Sequence, residues 1–159
     1  MQAGKFDVAL RLYDAGPLRA EMRARASALP EGLEARTRAA LAAHDAAEAE
    51  RGFMLFFVAL ARDLAREAER QLDAGAAAST IGARFLEAIW RYYNLADFVV
   101  GQRDAHASVA MRLAYDDAET LVRPAAVAPD AARVRASFDR IAQILERLIA
   151  TTTTSRRTS

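Results

Sequence analysis

The sequence predicts an all-α protein, and three observations carry that expectation. Alanine supplies nearly half of an apolar fraction of 53%. It has the highest helix propensity of any residue and adds little bulk, so closely packed helices follow. Apolar residues recur at three- and four-residue spacing over long stretches, the period of a helical face. Aliphatic β-branched residues are few and never fall into the alternating run that a strand requires. At 159 residues the chain has the length of one ordinary domain. A chain of that size buries roughly 70% of its unfolded surface, enough for a core without disulfides or metal.

Residues 5–14 place Phe6, Leu10 and Tyr13 on one helical face. Gly16-Pro17 breaks that helix and opens another to about Ala28, since proline suits a first helical turn. Leu29-Pro30-Glu31-Gly32 is the next break. From Leu33 the spacing predicts helix to about Asp73, interrupted at Gly52. Its second half holds FMLFFVALARDL, in which Phe53, Phe57, Leu60, Leu64, Ala68 and Leu72 follow one face while Leu55, Phe56 and Val58 spread around the cylinder. The apolar run stops at Arg62-Asp63, too short for the roughly 20 apolar residues of a membrane span. A buried core helix is expected.

Gly75 reads as a helix C-cap and Ser79 or Thr80 as the next N-cap. The helix at about 81–100 is aromatic, with one stripe of Phe85, Ile89, Tyr92, Ala96 and Val99 and a second of Leu86, Trp90, Tyr93 and Val100. Gly101 marks its end or a kink, and Asp97, among apolar neighbours, calls for an arginine partner across the bundle. A further helix at about 104–122 is expected to turn Val109, Leu113 and Leu121 inward and Arg112 and Glu119 outward. Pro124 and Pro129 bracket a connection, with Pro129 or Asp130 opening the last helix, about 130–150. There Val134, Phe138, Ile141, Leu145 and Leu148 repeat at four and three, a coiled-coil-like seam. The expected architecture is an antiparallel four-helix-type bundle (53–72, 81–100, 104–122, 130–150) with additional N-terminal helices. Residues 1–150 read as a single domain and 151–159, TTTTSRRTS, as a disordered tail.

Composition narrows the chemistry. The 22 basic and 21 acidic side chains are spread evenly, whereas a nucleic-acid surface needs clustered positive charge. Lys5 is the only lysine, a bias that GC-rich bacterial genomes produce. With no cysteine, thiolate metal sites and cysteine nucleophiles are excluded. Asp7 and Asp14 interrupt the place of a secretory apolar core, so the cytoplasm is the expected location. His44 and Glu48 have metal-site spacing on one helical face, but His106 is the only other histidine and no Glu-x-x-His pair occurs. Asp116, Asp117 and Glu119 diverge on a helix and read as a solvated face. Asp63 and Glu67 have arginines beside them for ordinary ion pairs. Phosphate loops, dinucleotide fingerprints and hydrolase elbows are absent from the sequence. No catalytic residue, metal site or cofactor is assigned.

The helix order, with the apolar helix 53–72, the connector around Gly75 and AYDDAETLV late in the chain, is similar in pattern to flagellin-type export chaperones. The similarity lies in helix order and covers no diagnostic motif. The expected function is a non-enzymatic interaction protein of adaptor, chaperone or regulatory type, self-associating as a homodimer. Its contact candidates are Trp90, Tyr92 and Tyr93, because aromatic residues with polar tips are enriched at interfaces, and the seam Phe138, Ile141, Leu145 and Leu148. The alternative is a small-molecule- or cofactor-binding bundle, enzymes included. Its apolar pocket would lie between helices 53–72 and 81–100 and be lined by Phe53, Phe56, Phe57, Trp90, Tyr93 and His106.

Overall fold

The computed structural model describes residues 3–123 and 129–154. Among them the chain forms helices α1 (Ala3–Ala15), α2 (Pro17–Ala24), α3 (Leu33–Ala42), α4 (Ala46–Asp73), α5 (Ala78–Arg103), α6 (Ala105–Val122) and α7 (Ala131–Thr154), with no strand. The all-α expectation holds. The chain groups into two compact units, Met1–Phe56 and Phe57–Ser159, and the boundary falls inside α4. Among the described residues no helix is long and apolar enough to cross a membrane.

In the first unit, Gly16 stands extended ahead of α2 at φ −92° and Pro17 fills the start of the helix, where a missing N–H removes no intrahelical bond. A methyl group on Gly16 would overlap the Leu12 carbonyl oxygen, so this turn requires glycine. Tyr13, 4% exposed, is the common neighbour of three other helices. Its hydroxyl donates to Met22 Sδ on α2 at 3.1 Å and lies 3.4 Å from the Glu34 carbonyl oxygen on α3. Its ring meets Phe53 of α4 edge-on at 5.9 Å. Burial pushes the Tyr13 pKa up to about 12, so the hydroxyl keeps its proton. An alternating chain of charge surrounds this core. Arg38 grips Asp14 with two bonds of 2.8 Å, and Arg19 bridges Asp14 at 2.7 Å and Glu34 at 2.5 Å. The Arg38 hydrogen bond holds the Asp14 carboxyl below its usual range.

The interruption expected at Gly52 falls instead at His44. The His44 N–H donates to the Leu41 carbonyl and the Asp45 N–H to the Ala40 carbonyl, the two bonds of a Schellman stop. His44 supplies the left-handed residue at φ 57°, a position that usually takes glycine. Asp45 then caps α4 by accepting from the Glu48 N–H at 3.0 Å. Gly52 lies buried inside α4 for a steric reason. A methyl group there would overlap Thr37 Oγ1 and stand 3.0 Å from Thr37 Cβ.

In the second unit the four long helices expected from the sequence form an antiparallel bundle. From Phe57 onward, α4 is tied to α7 by Arg66. Its guanidinium donates to Glu146 at 3.0 and 2.9 Å, to Asp139 at 2.7 Å and to Glu69 of its own helix at 3.0 Å. Arg135 of α7 reaches Asp73 at 2.6 Å, so partners rise along α4 as they fall along α7. Burial pushes the Glu69 carboxyl up against the pull of Arg66, while the Arg66 hydrogen bond holds Asp139 down. The pairs α5–α6 and α6–α7 pack along their lengths. At one end, a methyl group on buried Gly82 would overlap Val122 Cγ1, so α5 and α6 touch there almost backbone to side chain.

Several boundaries follow their sequence signals and others depart from them. Gly75, at φ 88°, closes α4 with a second Schellman pair, Gly75 N–H to Leu72 and Ala76 N–H to Gln71. Ser79 and Thr80 lie inside the first turn of α5, whose N-cap is Ala77 with no side-chain bond. Helix α5 runs through Gly101 to Arg103, and Asp104 ends it and caps α6 by accepting from Ala107 N–H at 2.9 Å. Asp130 caps α7, and Pro124 lies outside the described residues. Helix α7 continues past residue 150 to Thr154. The hydroxyls of Thr151, Thr153 and Thr154 donate to carbonyls four residues back, so each threonine satisfies its own hydroxyl within the helix. Positions 155–159 of the expected disordered tail lie outside the described residues.

The inward face of α6 departs most from expectation. Ser108, Met111, Ala114, Ala118 and Val122 are buried, while Val109 and Leu113 are 57% and 54% exposed. On α4 the deepest stripe is Met54, Val58, Ala61, Ala65 and Ala68, one residue over from the expected Phe53–Phe57–Leu60 face. In both helices alanines stand among the innermost side chains, where they let neighbouring axes approach closely.

Gly52→Ala separates helix propensity from packing. The substitution gains about 1 kcal/mol in an open helix, but overpacking costs about 1–3 kcal/mol. The expected net result is lower stability by urea denaturation, partly restored by adding Thr37→Ala. Acid titration tests the Arg66 cluster. Asp139 is held below its ordinary 3.8, so its pairing contributes in full above that pH and is lost as pH falls through the lower folded value. Glu69 is raised above its ordinary 4.5, so its contribution is full below 4.5 and lost as pH rises through the folded value. In urea denaturation across pH, Asp139→Asn is therefore expected to flatten the acid loss below 3.8. Glu69→Gln is expected to steepen the loss in the interval just above 4.5.

Candidate interaction surface

Helices α5 and α6 form a hairpin closed by Asp104, and two side-chain contacts fix their register. The Asp97 carboxylate accepts from Arg112 and from the Ser108 hydroxyl, which supplies the arginine partner expected for Asp97. Trp90 packs on Tyr115 with ring centroids 4.8 Å apart. On the outer side of α5, Arg84, Glu87, Arg91, Leu95, Phe98 and Gln102 recur at three and four and are all exposed. On α6 the exposed row is Ala105, Val109, Leu113, Asp116 and Thr120. Near the closed end these rows hold Leu95 at 59%, Phe98 at 74%, Val109 and Leu113. Four large apolar side chains thus stand in solvent on one short hairpin, where isolated exposed residues would need no explanation.

The aromatic residues singled out from sequence divide between core and rim. Tyr93 is fully buried, and its hydroxyl has no hydrogen-bond partner among the described residues. Ser108 and Asp97 are its polar neighbours, but Ser108 donates to Asp97 and no bond to Tyr93 closes. Burial pushes the Tyr93 pKa up to about 12. Trp90 and Tyr92 are half-buried, and Trp90 also tilts against Tyr93 at 6.0 Å. Burial raises the Tyr115 pKa as well, with Glu119 and Asp116 adding to the shift. No protein-family model, curated protein or solved structure matches the chain.

The remaining candidates fall elsewhere. Phe138, Ile141, Leu145 and Leu148 are buried by this chain itself, as is Phe56, while Phe53 and Phe57 are half-buried. His106 is exposed in the first turn of α6. His44 and Glu48 do not share a helical face, because the helix breaks at His44. His44 stacks on Phe6 at 5.3 Å, and Glu48 pairs with Arg51. Asp117 pairs with Arg140 and Glu119 with Arg123, both at the surface. Among the described residues no group of three or more acidic or histidine side chains could hold a metal ion.

Sequence reasoning passed over Leu95 and Phe98 as part of an aromatic helix and turned Val109 and Leu113 inward. A signal was present: Ser108, Met111, Ala114, Ala118 and Val122 form an alternative inward stripe that leaves Val109 and Leu113 opposite it. An enclosed hydroxyl without a partner costs about 1–3 kcal/mol. Tyr93→Phe is therefore expected to leave stability unchanged or raise it by about 1 kcal/mol in urea denaturation. A loss larger than that would show that the hydroxyl is satisfied.

Proposed function

We propose that this chain works by binding protein, and that the outer face of the α5–α6 hairpin is its contact surface. One observation carries the reading: Leu95, Phe98, Val109 and Leu113 are each more than half exposed, on the two helices of one hairpin. Water around four such side chains is released when another protein covers them, which supplies a driving force that scattered apolar residues lack. The seam of α7 is spent on the chain's own core. A protein partner therefore meets the hairpin rather than the seam, with the half-buried Tyr92 beside Leu95 and Phe98 on α5.

A photo-crosslinking amino acid placed at position 98 tests this in cells that express the full chain. Position 98 is expected to give a discrete protein adduct, and position 136, exposed on α7, is expected to give none. Equal, diffuse labelling from both positions would overturn the reading.

A further inference from the structure

Resting on that reading of the face, we infer that its occupant is a second copy of this chain, docked hairpin to hairpin about a two-fold axis parallel to the helices. Charged and apolar side chains complement one another along the two exposed rows. The Asp97–Arg112 and Trp90–Tyr115 contacts match levels along the hairpin. Leu95 therefore stands level with Leu113, Phe98 with Val109, Arg91 with Asp116, and Glu87 with Thr120.

A two-fold axis running along the hairpin keeps each level and sets α5 of one copy against α6 of the other. Apolar then meets apolar: Phe98 and Leu95 face Val109 and Leu113 of the second copy. Beyond the apolar patch, Arg91 faces Asp116, and every match occurs twice, as an isologous interface requires. A two-fold axis across the helices through the same patch would set α5 against α5, and Arg91 would meet Gln102 instead. Arg91 and Glu87 are each 72% exposed and pair with each other at 2.8 Å, a surface pair that costs little to rearrange. A formal net charge of +1 leaves little repulsion between copies. The result is an intermolecular four-helix arrangement with an apolar centre and a charged rim, the usual anatomy of a protein contact.

Light scattering and sedimentation equilibrium on the purified full chain test the inference. The expected mass is twice 17.3 kDa at micromolar concentration. Phe98→Asp, at a site 74% exposed and therefore harmless to folding, is expected to weaken self-association by about 30-fold or more. Arg91→Asp and Asp116→Arg are each expected to weaken it by about three- to tenfold, and the double exchange to restore it, because the charges are then reversed on both sides. A monomer throughout overturns the second-copy inference. If position 98 still crosslinks in cells to a protein of another mass, the reading of the face survives. A dimer indifferent to Phe98→Asp overturns its placement on this face. A double exchange that is additive rather than restoring overturns the parallel two-fold.

Discussion

Helices in this chain meet at points that have no room for a methyl group. Gly52 lies against Thr37 in the first unit, and Gly82 against Val122 in the second. The same rule, less absolute, runs through the alanines: Ala59, Ala61, Ala65, Ala68, Ala96, Ala118 and Ala142 are wholly buried. Small side chains on the inner faces bring axes close and give dense contact from little bulk. The larger apolar residues of the same helices are then displaced. On α6, Ser108, Met111, Ala114, Ala118 and Val122 take the inside, and Val109 and Leu113 are left outside. On α6 the exposed Val109 and Leu113 thus lie opposite an inner stripe that includes Ala114 and Ala118.

This trade explains which parts of the fold can be read from sequence. Period and punctuation revealed the four long helices, and Gly75, Asp104 and Asp130 mark real ends because their side chains or missing Cβ do local work. The seam of α7 was legible as well, since its large residues do face inward. Two things were not. Facing cannot be recovered from size when alanine forms the inner stripe, because an alanine column and a leucine column have the same period. Nor does a glycine in sequence say whether it breaks a helix or admits a neighbour. Gly52 does the second, while the break falls to His44 eight residues earlier, in a conformation that sequence assigns to glycine first. Val109 and Leu113 were turned inward for the first of these reasons.

The polar scaffold makes use of the arginine excess. Arg38 meets Asp14 through two nitrogens, and Arg66 spreads across Glu146, Asp139 and Glu69. A planar fork can bridge helices in this way, where a lysine would offer a single point charge. In each unit one such fork joins elements distant in sequence, Asp14 to Arg38 and Arg66 to Glu146. Whatever the genomic origin of the bias, the fold has built its interhelical ties from it.

His44 carries a consequence beyond ending α3. A glycine in its place would adopt the left-handed turn without strain, yet would remove the ring that Phe6 stacks on and the imidazole whose Nε2 lies 3.5 Å from the Asp7 carboxylate. The same residue therefore seals one helix and anchors the opening turns of another. Local opening should treat them as one cooperative segment: amides near Phe6 and the α3–α4 corner would exchange with solvent together, though 38 positions part the two rings in the chain.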